Sequence, residues 1–252
     1  IRCHPYLLKE IELISAPDTN VNELDKVLLS HIGYFVGNVI RSFGYGITAG
    51  KLIYSNIKVG RIRKYHKQLT RMSVALALLS DASAILLGGS LKRRERISAR
   101  LGDLMSQLYL ASAVLKYYFD NNQPEEDVDY VCWCLQICLY KMQIAIDEVT
   151  ANFPNRFIGG LLRFIVFPFG RSYVMPTDRL HESLLVSMLK PSTLRDRLSR
   201  YAFLSQHEND LQCRLEKALA MLSLVEPVWK KIQTAVHDGA IPKQALPRDR
   251  VR

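Results

Sequence analysis

Apolar residues recur every three to four positions over long stretches of this chain, and strict alternation over strand length is hard to find. The pattern predicts helices nearly throughout. A first runs from near Pro5 to before Pro17. The cluster Asp18-Thr19-Asn20 caps a second, whose stripe is Leu24, Leu28, Ile32, Phe35 and Val39, with Gly44, Gly46 and Gly50 loosening its end. After a loop over 55–60, a third spans about Arg61 to Leu87 and stops at Gly88-Gly89. A fourth spans about Leu91 to Tyr118 with the stripe Leu101, Leu104, Leu108, Ala111 and Leu115. Pro124, followed by Glu125, Glu126 and Asp127, opens a fifth that reaches about Asn152, since Pro suits a first turn and acids suit the positive end of the helix dipole. Long helices with short breaks pack as antiparallel neighbours. Further on, Pro154, Pro168, Pro176, Pro191, Pro227, Pro242 and Pro247 divide the chain into short helices, the longest from His207 to Leu224 with Leu211, Leu215, Leu219 and Leu222 on one face. The tail after Gly239 is polar and reads as extended. The expected fold is all-α: an antiparallel helical bundle with a more broken, Pro-interrupted helical C-terminal half.

Composition agrees with a folded protein: 252 residues, 48% hydrophobic and 23% charged, enough to bury a sizeable core. The formal charge of +10 admits nucleic acid, anionic membrane or acidic ligands as partners without choosing among them. The chain begins at Ile1 with no signal-peptide pattern, and is read as a piece of something longer. The longest apolar run, Phe157 to Gly170, is interrupted by Arg163 and Pro168 and falls short of the about 20 residues a bilayer requires, so no transmembrane helix is expected. Cys3, Cys132, Cys134, Cys138 and Cys213 are odd in number and widely spaced, which fits free thiols in a reducing cytoplasm. Cys132, Cys134 and Cys138 invite a metal reading, but no second pair follows at zinc spacing, so no metal ligand is assigned.

No P-loop, dinucleotide-binding turn, nucleophile elbow or zinc-protease motif is present; the spacing of Gly44, Gly46 and Gly50 is wrong for a dinucleotide. His4 and His31 sit in or near apolar stretches and read as structural. The strongest polar feature is the basic run Lys92, Arg93, Arg94 and Arg96, continued by Arg100. Cations at a helix start oppose the dipole, so something else must favour them. Lys92, Arg96 and Arg100 share one face if the helix includes all three. The readings are solvated or internally paired side chains, a phosphate contact, or docking onto an acidic surface. Arg61, Arg63, Lys64, Lys67 and Arg71 load the start of the preceding helix, at the opposite end of an antiparallel pair. No aromatic residues interleave with the basic run, which disfavours nucleic acid. The second feature is the interfacial candidate Phe157, Arg163, Phe164, Phe167 and Phe169, which reads either as a membrane-surface segment or as a helix covering the bundle.

Five anchors carry a resemblance: Ile1-Arg2-Cys3-His4-Pro5-Tyr6, Leu78-Leu79-Ser80-Asp81, the whole of Gly88 to Lys116, Asn152-Phe153-Pro154-Asn155-Arg156, and Phe167-Pro168-x-Gly170-Arg171. On these the chain closely resembles the C-terminal region of bacterial FadE-type long-chain acyl-coenzyme A dehydrogenases, more weakly after about Pro227. The resemblance implies an enzyme that oxidises long-chain fatty acyl-CoA to the trans-2-enoyl-CoA with FAD in fatty acid β-oxidation. It implies that the catalytic glutamate and the flavin site lie upstream, so no catalytic or cofactor-binding residue is assigned here and the segment alone is expected to be inactive. By the same resemblance, residues 1–55 end the catalytic helical domain and 56–252 form a C-terminal extension. The implied partners are the upstream catalytic domain, further copies of the chain and an anionic membrane surface. The implied location is cytoplasmic, peripheral on the inner membrane. The alternative is a non-catalytic helical module that docks on a membrane or a protein.

Overall fold

A computed structural model describes residues 4–18, 20–190, 192–203, 205 and 207–242. Among these there is no strand, and the α-helices are α1 Leu7–Ser15, α2 Val21–Ile47, α3 Gly60–Leu87, α4 Glu95–Asp120, α5 Val128–Ala151, α6 Arg156–Val166, α7 Asp178–Met188, α8 Thr193–Ser199 and α9 Leu211–His237. The all-α expectation holds. The chain divides into two units, Ile1–Pro176 and Thr177–Arg252. The expectations for Ile1 to Cys3, for Pro191 and for the tail beyond Pro242 lie outside the described residues.

The first unit is built on α3, α4 and α5. Arg61, at the start of α3, pairs with Asp129 at the start of α5 (2.7 Å), so these two helices run the same way. Arg100, near the start of α4, pairs with Glu148 near the end of α5 (2.9 Å), so α4 runs against both. Between them lie Ile62, Met72, Leu78 and Leu79 of α3, Leu104 and Ala111 of α4, and Leu135, Leu139, Met142 and Ile146 of α5. Each large side chain so buried contributes about 1.5–3 kcal/mol. The segment Gly60–Arg93, not Phe157 to Gly170, is long and apolar enough by length and composition to cross a membrane. Its face of Ile62, Leu69, Met72, Ala75, Leu78, Leu79 and Ala82 is spent on the bundle core.

The ends of the helices follow local chemistry. The Asn20 side chain accepts the Glu23 N–H and starts α2. Gly88, at φ +48°, ends α3 with a backbone that residues bearing a Cβ rarely adopt. The chain then makes a 3-10 turn over Gly88–Arg93, and α4 begins only at Glu95, four residues later than the pattern predicts. Glu125–Asp127 form another 3-10 turn ahead of α5.

Two close approaches seat α2 and α6. A Cβ on Gly46 would lie 2.8 Å from the Pro168 ring, and one on Gly159 would lie 2.2 Å from the Thr150 carbonyl oxygen. Only glycine lets α2 reach the end of α6, and lets α6 fold back onto the last turn of α5.

In the second unit, Arg195 of α8 grips Glu216 of α9 through one Nη2 atom (2.7 and 2.9 Å). The expectation that Pro227 divides this region is corrected: it lies inside α9. Proline removes one N–H from the helix ladder, and Leu224, Val225 and Val228 around it are exposed, so the break in the ladder lies on an open surface. An open apolar groove of about 650 Å³ runs past Leu189, Leu222, Val225 and Trp229.

Candidate functional site

The basic run does not form one helical face. Lys92 and Arg93 belong to the 3-10 turn and Arg94 caps α4 with φ −99° and ψ 61°, so Lys92 is out of register with Arg96 and Arg100. The reason is the glycine-led turn, which delays α4. Lys92, Arg93, Arg94 and Arg96 are exposed, and among the described residues no carboxylate lies at ion-pair distance from them. Arg100 is different: it is held by Glu148 and serves the bundle.

The interfacial candidate also splits. Phe157, Phe164 and Phe169 are exposed, with Phe157 at 80%. Phe167 is buried, which corrects its place in that group. Its ring lies under the Arg71 guanidinium (5.4 Å) and meets Tyr173 edge-on (6.4 Å). Arg163 points to Asp147 (3.3 Å), as does Arg171 (2.5 Å), so one buried carboxylate ties α6 and the segment after it to α5. Cys132 and Cys138 are buried on α5 and Cys134 is half-buried; burial pushes all three thiols above their usual range.

Two groups of residues come together that spacing alone did not reveal. In the first, His4, His31 and Asp81 bring one donor atom each within 4.8 Å of one another. His4 Nδ1 accepts the backbone N–H of Leu7 (2.9 Å) and of Tyr6 (3.2 Å), capping α1. That nitrogen therefore carries the lone pair, and Nε2 carries the proton that goes to Asp81 Oδ1 (2.5 Å). A metal on Nε2 would require the opposite tautomer and would set a proton against two backbone N–H groups. His31 Nδ1 bonds Glu10 (2.7 Å), tying α2 to α1. The arrangement is two largely buried hydrogen-bonded pairs, His4 with Asp81 and His31 with Glu10, whose imidazole rings pack 4.9 Å apart, with His31 Nε2 and Asp81 Oδ2 left without a hydrogen bond among the described residues; the His4 tautomer argues against a metal between them. Asp81 was visible only as part of a motif; its histidine partner is 77 positions away.

The second is a groove of about 590 Å³ bounded by the 49–51 turn, α3, α5 and residues 172–174. Its outer wall is pinned by Gln143, which is buried on α5. Gln143 Oε1 accepts the N–H of Ser172 and of Tyr173 (2.9 Å each), and its amide donates to the Tyr173 carbonyl (2.9 Å). Gln68 closes the other side, donating to the Ala49 carbonyl (2.8 Å) and accepting from the Tyr173 hydroxyl. Lys51, Arg63, Lys64, Lys67 and Arg71 line this groove, and no Asp or Glu does. The periodicity placed Arg63, Lys64, Lys67 and Arg71 at the start of α3 but gave no hint that Lys51 and residues 172–174 would close around them.

Helical packing and a cationic groove define an all-α helical module. Residues 1–250 match the family described as "Acyl-CoA dehydrogenase, C-terminal, bacterial type". The chain belongs to that family, the C-terminal domain of an oxidoreductase. No solved structure matches it. Acyl-CoA dehydrogenases generally bind FAD. A flavin needs a flat apolar slot for its rings beside a cradle for its diphosphate. The groove at α3 combines its cations with a side wall of Tyr65, Leu139 and Val174 rather than a flat slot closed on both faces; the groove in the second unit has apolar walls and a single cation, Lys190. Neither fits a complete flavin, and no dehydrogenation step is derived through them.

Proposed function

We propose that this chain is the C-terminal helical module of a FAD-dependent long-chain acyl-CoA dehydrogenase of fatty acid β-oxidation. In this reading it braces the catalytic domain and holds the enzyme peripherally at an anionic membrane on the cytoplasmic side. Residues 1–55 then belong with the catalytic helices and 56–252 with the extension. The observation that carries the reading is the apolar surface of the first unit. Leu28, Ile32, Val36 and Ile40 form an exposed stripe along α2, and Phe157, Phe164 and Phe169 stand out at and after α6. Contiguous apolar surface of this kind marks contact with protein or lipid. The α2 stripe suits the catalytic domain or a second copy. The aromatic group, with exposed arginines on the same unit, suits a membrane interface, where apolar side chains enter and arginines stay at headgroup level.

Co-sedimentation with anionic and neutral liposomes at low and high salt tests the membrane part. The expected result is binding to anionic liposomes, reduced by salt and by the Phe157→Ser, Phe164→Ser, Phe169→Ser triple variant, and weakened by charge reversal at Arg93, Arg94 and Arg96. A folded, monodisperse chain that ignores liposomes at low salt removes the membrane role and leaves the bracing role. The same preparation is expected to be colourless and without dehydrogenase activity; a yellow, active one contradicts the assignment of flavin and base to the upstream part.

A further inference from the structure

We propose that the groove at the start of α3 binds an organic phosphate, with the phosphate held by Lys64, Lys67 and Arg71 and the organic body lying against Tyr65, Leu139 and Val174. The first argument is charge. Several arginines packed on the bundle have carboxylate partners: Arg61 with Asp129, Arg100 with Glu148, Arg163 and Arg171 with Asp147. Around the groove they are anchored by main-chain carbonyls instead. Arg63 donates to the carbonyls of Ile57 (2.5 Å) and Lys58 (3.0 Å), Lys67 to that of Lys51 (3.1 Å), and Arg71 Nη2 to that of Val166 (2.8 Å). Carbonyls fix these side chains in place and leave their positive charge uncancelled.

The second argument is a missing acceptor. Arg71 is 5% exposed, lines the groove, and keeps its Nε buried without a hydrogen-bond partner. An unsatisfied buried donor is costly, and more so on a charged group. The third is the helix itself. Gly60, the first residue of α3, also lines the groove, so the positive end of the dipole adds to the side chains. Arg61, Arg63 and Lys64 in that first turn oppose the dipole, an internal conflict that a bound anion turns into an attraction. Several cations converging with a helix N-terminus suit the multiple charge of a phosphate better than a single carboxylate. Tyr65 and Tyr173 add no negative charge, because burial pushes both hydroxyls above their usual range. Finally, about 590 Å³ is more than a bare phosphate fills and lies within the span of small-molecule sites.

The proposal does not rest on the membrane reading. Its test is calorimetric titration of the full chain with inorganic pyrophosphate and with glycerol 3-phosphate at low salt. Both are expected to bind. The double variant Lys64→Glu, Lys67→Glu and the single variant Arg71→Gln are expected to weaken both by about tenfold or more. Arg93→Glu with Arg94→Glu, at the remote turn, is expected to change neither. If Arg71→Gln does not fold, the lysine pair decides, since Lys64 is exposed and Lys67 half-buried. Absence of binding at millimolar ligand overturns the proposal, as does binding that survives the lysine reversal or falls equally in the remote variant. Phosphatidylglycerol vesicles then separate the sources: release of bound vesicles by pyrophosphate identifies a lipid headgroup as the phosphate, and vesicle binding indifferent to pyrophosphate identifies a soluble one. The titration contains no membrane, so its failure leaves the liposome result untouched.

Discussion

Gly159 and Gly160 are neighbours in α6, yet alanine should act on them in opposite directions. A Cβ at Gly160 meets nothing within 4 Å, and the position is exposed. Alanine there gains only helix propensity, up to about 1 kcal/mol. At Gly159 the same propensity is gained, but the Cβ would lie 2.2 Å from the Thr150 carbonyl oxygen and 3.1 Å from Phe153 Cβ. The first contact is with backbone, so α6 must retreat from α5 by about 1 Å to reach ordinary van der Waals distance, and overpacking of this kind costs about 1–3 kcal/mol. Because α6 carries Leu162 and Val166 into the core and Arg163 to Asp147, the retreat loosens those contacts too. The net expectation is a loss of about 1–2 kcal/mol at Gly159 and a gain of up to about 1 kcal/mol at Gly160. At about 2–4 °C per kcal/mol, thermal unfolding should fall by several degrees for Gly159→Ala and rise slightly for Gly160→Ala. Scanning calorimetry or far-UV circular dichroism on the two variants settles it. If Gly159→Ala is as stable as Gly160→Ala, the close packing of α6 on the last turn of α5 is wrong.

Gln143→Leu keeps the side-chain volume but strands the amides of Ser172 and Tyr173 and the Tyr173 carbonyl; with water reaching part of this segment, denaturant unfolding should show a loss of about 2–4 kcal/mol. Gln136→Leu, which removes one exposed bond to the Val174 carbonyl, should cost under about 1 kcal/mol, and equal effects would contradict the pinning role. The buried thiols of Cys132 and Cys138 have raised folded-state pKa values, so they should react with a thiol reagent at neutral pH only after denaturation; rapid native labelling of either would contradict their burial. By linkage, their contribution to stability is fully present below the ordinary thiol range and lost as pH rises through the folded-state values, so stability should decline on the alkaline side.

Helices were readable because periodicity and caps agree. Asn20 and Gly88 act where the sequence puts them, since both work on their own backbone. What escaped reading depends on distant partners or on competition between local signals. The run from Gly88 to Arg94 carries helix-forming residues, but glycine geometry at its head wins and the chain makes a 3-10 turn. Pro227 signals a break, yet α9 continues through it on an exposed surface. Phe167 looks the same in sequence as Phe164 and Phe169; packing against distant residues, the Arg71 guanidinium 96 positions earlier on α3 among them, makes it a core residue. The cationic groove was half legible: the basic start of α3 is local, whereas its enclosure by residues 172–174 depends on distant glutamines, above all the buried Gln143 of α5.

That glutamine has a consequence for how the chain can change length. Gln143 reads two successive amides and one carbonyl of residues 172–173, while Arg171 next to them is fixed to Asp147. A single inserted or deleted residue between Phe167 and Arg171 would shift every one of these groups out of reach at once. The turn at 121–124, whose own hydrogen bonds reach only the end of α4 and the 3-10 turn that follows it, carries no such constraint. Length variation should therefore be accommodated freely between α4 and α5 and rejected between α6 and Pro176, although both segments are short connections.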